Sequence, residues 1–499
     1  MSRFRKTSQL PSRKLETTNR KEQNTAITID NIKDAFSKCS DVIIKPMCFS
    51  EDPSSEIIFV YNEGLANLAS LNEEIIPGLE EHLSSGKRVD TFRKKITSAV
   101  DGNMNILTEK VFNGELILVE MATRETFSIN ISKPPQREPE EPNTEISILG
   151  PRDGFIEEIE VNIALLRKRL PTTSLVNERF IIGDRSQTKV SLMYFEDIIR
   201  EDMIDHVRES LEDIDIDALL STQQLEEILT ESSFRLFPMY QNSGRPDYVA
   251  DALLRGRFVM FIDGLPQAVL APVNLTLMLK TAEDAEYTWL YNSFERLLRL
   301  LGISVATFLP GFWVALSSFH QDQLPFILLA SVSESRQGVP LPAALEAFVL
   351  IGLFELFREA GLRLPLAVGQ ILAVVGGLII GDAAINAGLT NPVMVVIVAT
   401  SAVSTFTLVS PALQGTVTIL RLFILGLSSI IGIFGFFVGI FMILIYVSHL
   451  RSYSIPYMAP LAPLRIRDSI FTIFRPSWKK QSRRPSILHT GDEDRREGR

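Results

Sequence analysis

Between Leu300 and Ser448 the chain is dominated by apolar runs, and these constrain its fold more than any other stretch. LLGISVATFLPGFWVALSSF (300–319), VMVVIVATSAVSTFTLVS (393–410) and LFILGLSSIIGIFGFFVGIFMILIYVS (422–448) follow one another. A helix of about 20 apolar residues rises roughly 30 Å, the thickness of a bilayer's hydrocarbon core. A soluble domain has no need of several such runs, and no charged residue lies between Arg421 and His449. The chain therefore reads as a lipid-embedded, integral membrane protein with a large polar N-terminal region.

Five apolar segments divide the block: 300–319, 341–357, 366–385, 393–411 and 418–448. The second carries Glu346 and Glu355 and reads as a crossing, a re-entrant segment or a half-helix. The last exceeds one untilted crossing, so it must tilt, kink at its glycines or fold back. Arg296 and Arg299 precede the block, and Arg451, Arg465, Arg467, Lys479, Lys480, Arg483 and Arg484 follow it. By the positive-inside rule both ends are expected in the cytosol, which requires an even number of crossings; four are expected.

The basic N-terminus, MSRFRKTSQLPSRKLETTNRK, runs into no apolar core, so no secretory signal peptide is expected. Residues 1–25 read as a disordered tail. In 26–132 the runs IIFVY and LILV suit buried strands and GLANLASLNEEI suits a helix, which together predict a small α/β subdomain. Four prolines in KPPQREPEEPN make 133–149 a linker. A second α/β subdomain is expected over 150–282. Asp153 is placed to cap a helix with Phe155, Ile159, Ile163, Leu166 and Leu170 on one face. KVSLMYF reads as a strand, and FVMFI and QAVLA flank an Asp263-Gly264 turn as a hairpin. Residues 283–299, with Trp289, Tyr287 and Tyr291, suit an interfacial helix. The transmembrane domain spans 300–450 in four to five segments, and 451–499 form a basic, polar tail. The predicted fold class is thus a cytosolic α/β region of two subdomains followed by an α-helical polytopic membrane domain.

The net charge of −10 argues against a nucleic-acid partner. Two cysteines, Cys39 and Cys48, give no disulfide framework and no metal cluster, and two free thiols are expected. No Walker, zinc-protease or dinucleotide motif occurs, and the five histidines are scattered, so neither an enzyme nor a cofactor is expected.

The chemistry-bearing residues lie inside the apolar block. A charge at the centre of a membrane helix costs about 2.5–3.5 kcal/mol, so it normally faces a partner or water. Glu346, Glu355 and Asp382 therefore read either as part of an ion path or gate, or as structural ion pairs. In LAVGQILAVVGGLIIGDAAI, Ala373, Gly377 and Gly381 repeat every four residues, a ridge that lets helices approach closely. Gln370 and Val374 lie on or near that face. Ordinary helix packing and an oligomeric pore wall would both use it.

Several blocks, among them GRPDYVADALLRGRFVMFIDGLP, LPFILLASVSESRQGVPLP, LFELFREAGLRLP, VVGGLIIGDAAINAG and the closing Ile455-Pro456-Tyr457, resemble the A subunits of bacterial spore germinant receptors, the GerA family. The resemblance runs from Gly150 to Pro463. It implies a subunit in the inner membrane of the dormant spore, assembled with a transporter-like, nutrient-binding B subunit and a lipoprotein C subunit. It further implies a homo-oligomer, a pentamer, around an ion-conducting pore that triggers germination. A secondary transporter and a non-conducting accessory scaffold are the alternatives.

Overall fold

The computed structural model describes residues 28–49, 56–85, 89, 92, 96–99, 103–120, 123, 125–133, 149–230, 235–362, 381–477, 481, 483–492 and 494–495. They fall into two compact units, and Lys38–Asp41 belong to the second. The expected linker, apart from Lys133 and Leu149, lies outside the described residues, as does the expected N-terminal tail.

The first unit holds helix α1 (Ile29–Phe36), strands β1 (Val42–Cys48) and β2 (Glu56–Asn62), and α2 (Leu68–Ser70), which passes through a π-turn at Leu71–Ile75 into α3 (Ile76–Ser84). After these come β3 (Ile96–Ala99), α4 (Met104–Phe112), β4 (Glu115–Glu120) and β5 (Thr126–Asn130). The strands form one antiparallel sheet in the order β1-β2-β4-β5-β3. Ile57, Phe59, Leu116 and Leu118 pack on Ile75 and Leu79. The alternating set Ile58, Val60 and Ile117 is buried as well. Side chains alternate faces along a strand, so the sheet is covered on both sides, and this is why IIFVY and LILV are unbroken apolar runs.

The second unit opens with α5 (Ile159–Arg169), β6 (Leu175–Ile182), β7 (Thr188–Phe195), α6 (Glu201–Glu212), α7 (Thr222–Ile228), β8 (Gln241–Ser243), α8 (Pro246–Leu254), β9 (Phe258–Ile262), β10 (Ala268–Ala271) and α9 (Leu275–Met278). Its sheet runs β6-β7-β9-β10-β8, antiparallel throughout. β9 and β10 form the expected hairpin, with Gly264 at φ +84° in its turn, a conformation that favours glycine. α5 starts later than the sequence suggests. Asp153 does not cap it but pairs with Arg169 at 2.6 Å, and the Asn162 amide holds both polar groups of the Ile156 backbone before the helix begins. Arg167, on the same helix, is fully buried in a bidentate pair with Asp41 at 2.7 and 2.8 Å. Both cysteines are free thiols, Cys39 buried and Cys48 exposed.

The apolar region of this unit is helical: α10 (Trp289–Phe319), α11 (Phe326–Ser335), α12 (Ala343–Leu362), α13 (Pro392–Thr405), α14 (Pro411–Ile431) and α15 (Ile433–His449). The segment expected as a separate interfacial helix is continuous with the first apolar segment, and α10 runs for 31 residues. The long last segment breaks at Gly432, where φ is +66° and an added Cβ would lie 2.9 Å from the Phe319 ring. Among the described residues α10 and α14 are long and apolar enough to cross a membrane by length and composition; α11, α13 and α15 are shorter apolar helices.

Beyond α15 the chain forms a two-residue-strand hairpin, β11 (Arg451–Ser452) and β12 (Ile455–Pro456), and then α16 (Ile466–Ile473). The hairpin joins the core of the second sheet: Tyr453 packs edge-on against Phe258, and the Tyr457 carbonyl accepts from the Leu275 amide at 2.9 Å. One apolar cluster accordingly runs from Val176, Leu192 and Met260 to Leu413, Val417, Ile455 and Tyr457.

Candidate functional site

The helices meet through small residues and a seam of polar ones. On α10, Gly311 brings the backbone against α14, where an added Cβ would sit 2.7 Å from Ile424 Cγ2. Gly439 of α15 faces the same isoleucine at 2.6 Å. Beside these close approaches runs a seam of hydroxyls and a few charges. Ser401 on α13 donates to the Ala306 carbonyl of α10 at 2.8 Å, and Thr405 donates to the Ser401 carbonyl at 3.2 Å. Arg421 on α14 donates from Nη2 to Thr405 Oγ1 at 2.9 Å. Arg421 is 1 % exposed, and its Nε has no hydrogen-bond partner among the described residues.

One turn away, Thr418 of α14 donates to Glu355 Oε1 of α12 at 3.1 Å and accepts from Arg358 Nη1 at 3.4 Å. Glu355 and Arg358 pair at 2.6 Å across one helical turn. Their side chains remain 25 % and 33 % exposed on a helix that is otherwise largely apolar. Of the described charges in the apolar block, these two combine mutual pairing with an open side.

Glu346, at the start of α12, is placed differently. It is 1 % exposed, and its Oε1 accepts from the Thr390 hydroxyl at 2.5 Å, the Asn391 amide at 2.6 Å and Asn391 Nδ2 at 2.9 Å. Asn391 in turn caps α13 by accepting from the Met394 amide at 2.9 Å. A carboxylate at a helix N-terminus, held by three donors, is a clamp between α12 and α13.

Asp382 is exposed and accepts from Asn386 Nδ2 at 3.0 Å, one turn along its own helix. A Cβ on Gly381 would meet nothing within 4 Å. Gln370, Ala373, Val374 and Gly377 lie outside the described residues. In the sequence Glu355 stands out, while Arg358 and Arg421 read as bordering charges and Thr418 and Thr405 carry no mark. A hydroxyl in an apolar run is an ordinary helix residue until the helix facing it is known. Only the charges themselves point to the place.

A family model described as Bacillus/Clostridium GerA spore germination protein matches residues 30–487. Spore germination protein XA of Bacillus anthracis is 43 % identical over 469 residues, covering 92 % of this chain and 95 % of that protein. Spore germination protein KA of Bacillus subtilis (strain 168) is 31 % identical, covering 94 % and 88 %. Among solved structures, the N-terminal domain of the A subunit of the Bacillus megaterium spore germinant receptor GerK3 is 27 % identical, covering 49 % of this chain and 92 % of that one, with a TM-score of 0.36. The breadth of the family match and the length of the alignment with the anthracis protein lead to one conclusion: the chain belongs to the GerA family of spore germination proteins.

Proposed function

We propose that the protein is the A subunit of a nutrient-gated germinant receptor in the spore's inner membrane, and that copies of it surround an ion-conducting path. The observation that carries this reading is the half-open Glu355–Arg358 pair on α12. A charged pair with a quarter to a third of its surface uncovered is costly against lipid tails, so water or another subunit must cover that side. Gly352, on the same helix, and Gly415 and Gly426, on α14, have nothing within 4 Å of an added Cβ, so a second helix could approach them closely. A pentameric arrangement, with a transporter-like B subunit and a lipoprotein C subunit, is the assembly that this reading implies. On this reading both termini lie on the cytosolic side. The positive flanks support this, as does the way the segments before α10 and after α15 hold the same sheet.

The test is ion flux through the purified full-length protein reconstituted in liposomes, alone and with its partner subunits. Wild-type protein should conduct, and Arg358→Leu should change the conductance or its selectivity while the protein still assembles. Nutrient uptake without ion current would support a secondary transporter. Assembly with neither flux nor uptake would leave a scaffold and overturn the pore.

A further inference from the structure

A cavity of about 600 Å³ lies where α8, the segment leading into α10, α16 and the C-terminal residues converge. Eight Lys or Arg side chains and five Asp or Glu side chains line it. The carboxylates are largely engaged. Asp251 takes Arg255 at 2.6 Å and Arg495 at 3.2 Å, and Asp284 takes Arg296 at 3.1 Å and Arg299 at 2.9 Å. Asp247 holds Arg245 at 2.8 Å, and Asp468 accepts from the Ser486 hydroxyl.

Lys280 is the exception. It lines the cavity partly buried, and no hydrogen bond or ion pair reaches its Nζ from the described residues. Burial, followed by the fields of Arg255, Arg296 and Arg257, pushes its pKa well below the ordinary lysine value, and Asp251 opposes them only in part. Arg465 also lines the cavity and donates to Ser486, a neutral partner. Part of the rim is apolar: Ile466 and Phe471 of α16 line the cavity and are 65 % and 39 % exposed. Ile470 is 49 % exposed on the same short helix. Arg296 also lines the cavity, on α10, whose downstream half enters the apolar bundle.

An unneutralised amine in a cationic chamber is completed by an anion that accepts several hydrogen bonds at once. Tetrahedral phosphate oxygens do this well, and Lys and Arg donors bind them with charge assistance. We propose that this chamber binds a phosphate-bearing anion, with Lys280 as its central ligand and the apolar rim seating the hydrocarbon of a lipid that carries it. A phospholipid headgroup and a free phosphate share this chemistry. The proposal is independent of ion conduction.

Full-length protein in phosphatidylcholine nanodiscs is the starting material. In one arm inorganic phosphate is titrated against chloride at equal ionic strength. In the other, phosphatidylglycerol is added to the discs. Binding is read by thermal shift and calorimetry, and Lys280→Gln should weaken it at least tenfold while Lys280→Arg retains it. Where Lys280→Gln fails to fold, Arg465→Gln, on the outer lining, should give the same direction of effect. An anion raises the depressed pKa of the amine, so proton uptake on binding, followed across a pH series in two buffers of different ionisation enthalpy, should be smaller in the Lys280→Gln protein. Binding in both arms assigns the site to phosphate itself, and binding only with phosphatidylglycerol assigns it to the lipid. Binding in neither arm, or wild-type affinity in the Lys280→Gln and Arg465→Gln proteins, overturns the proposal.

Discussion

Removing the Glu346 carboxylate should destabilise the helical region strongly, and the size of the effect can be worked from its partners. The Thr390 hydroxyl, the Asn391 amide and Asn391 Nδ2 all converge on Oε1, within 2.5 to 2.9 Å. Thr390 and Asn391 are themselves 4 % and 2 % exposed, so water cannot readily replace the carboxylate. Each buried donor left without an acceptor costs about 1–3 kcal/mol, so Glu346→Ala should cost about 2–6 kcal/mol after one donor finds a new partner. Glu346→Gln keeps an amide oxygen where Oε1 stands but turns an NH2 toward Asn391 Nδ2, which now lies 3.1 Å from Oε2. Its cost should be smaller, about 1–3 kcal/mol, mostly lost charge assistance. Thermal unfolding of the full-length protein in nanodiscs, with protein abundance in spores beside it, measures both. An unchanged melting temperature for Glu346→Ala would refute the clamp. A Glu346→Gln protein that melts like wild type but no longer responds to nutrient would make this carboxylate part of a gate.

Asp41→Ala removes the bidentate carboxylate from the fully buried Arg167 guanidinium and should cost about 3–5 kcal/mol, read by chemical denaturation; a loss under about 1 kcal/mol would mean that the pair is not buried in solution. Gly311→Ala should overpack the α10–α14 contact by about 1–3 kcal/mol, whereas Gly352→Ala should be neutral or stabilising in an isolated subunit, as melting temperatures would report. Should Gly352→Ala impair assembly while leaving that stability intact, another chain lies against α12. Burial raises the pKa of Glu226 to about 7, with Asn242 opposing and Glu227 adding to the shift. The folded state therefore holds this proton more tightly than the unfolded state. Its contribution is fully present below the unfolded pKa, near 4.5, and falls by up to about 1.4 kcal/mol per unit as pH rises toward 7. Glu226→Gln should flatten that part of a stability–pH curve, and an equally steep curve in the variant would count against it.

What can be read from the sequence is local. FVMFI, Asp263-Gly264 and QAVLA carry a strand, a turn and a strand within fourteen residues, and β9 and β10 pair as that pattern requires. The break at Gly432 is one of three options for an overlong apolar run, and glycine is where such a run can turn with positive φ. The sequence misplaces the start of α5 because Asp153 is a good capping residue in isolation, while Arg169, sixteen positions on, offers it a better partner. The same limit applies to the candidate site. Glu346 finds Thr390 across 44 residues, Arg358 finds Thr418 across 60, and Arg167 finds Asp41 across 126. Sequence spacing along one helix can propose Glu355 with Arg358, but a partner on another helix leaves no periodic mark.

The hairpin after the last apolar helix has a consequence for the order of assembly in time. The amide of Val273 donates to Ser452 Oγ, that hydroxyl donates on to the Met239 carbonyl, and Arg475 bonds the carbonyls of Asp284, Ala285 and Tyr287. Ile455 and Tyr457 fill the core of a sheet whose last strand ends at Ala271. At about 5–20 residues per second of synthesis, the ribosome delivers those side chains roughly 10–40 s after the strands they cover. In that interval the whole apolar block must be made, while the sheet waits with an open face. Tyr457 thus acts as a late closing piece, and the α/β region completes its core only after the helices that follow it have been handed to the membrane.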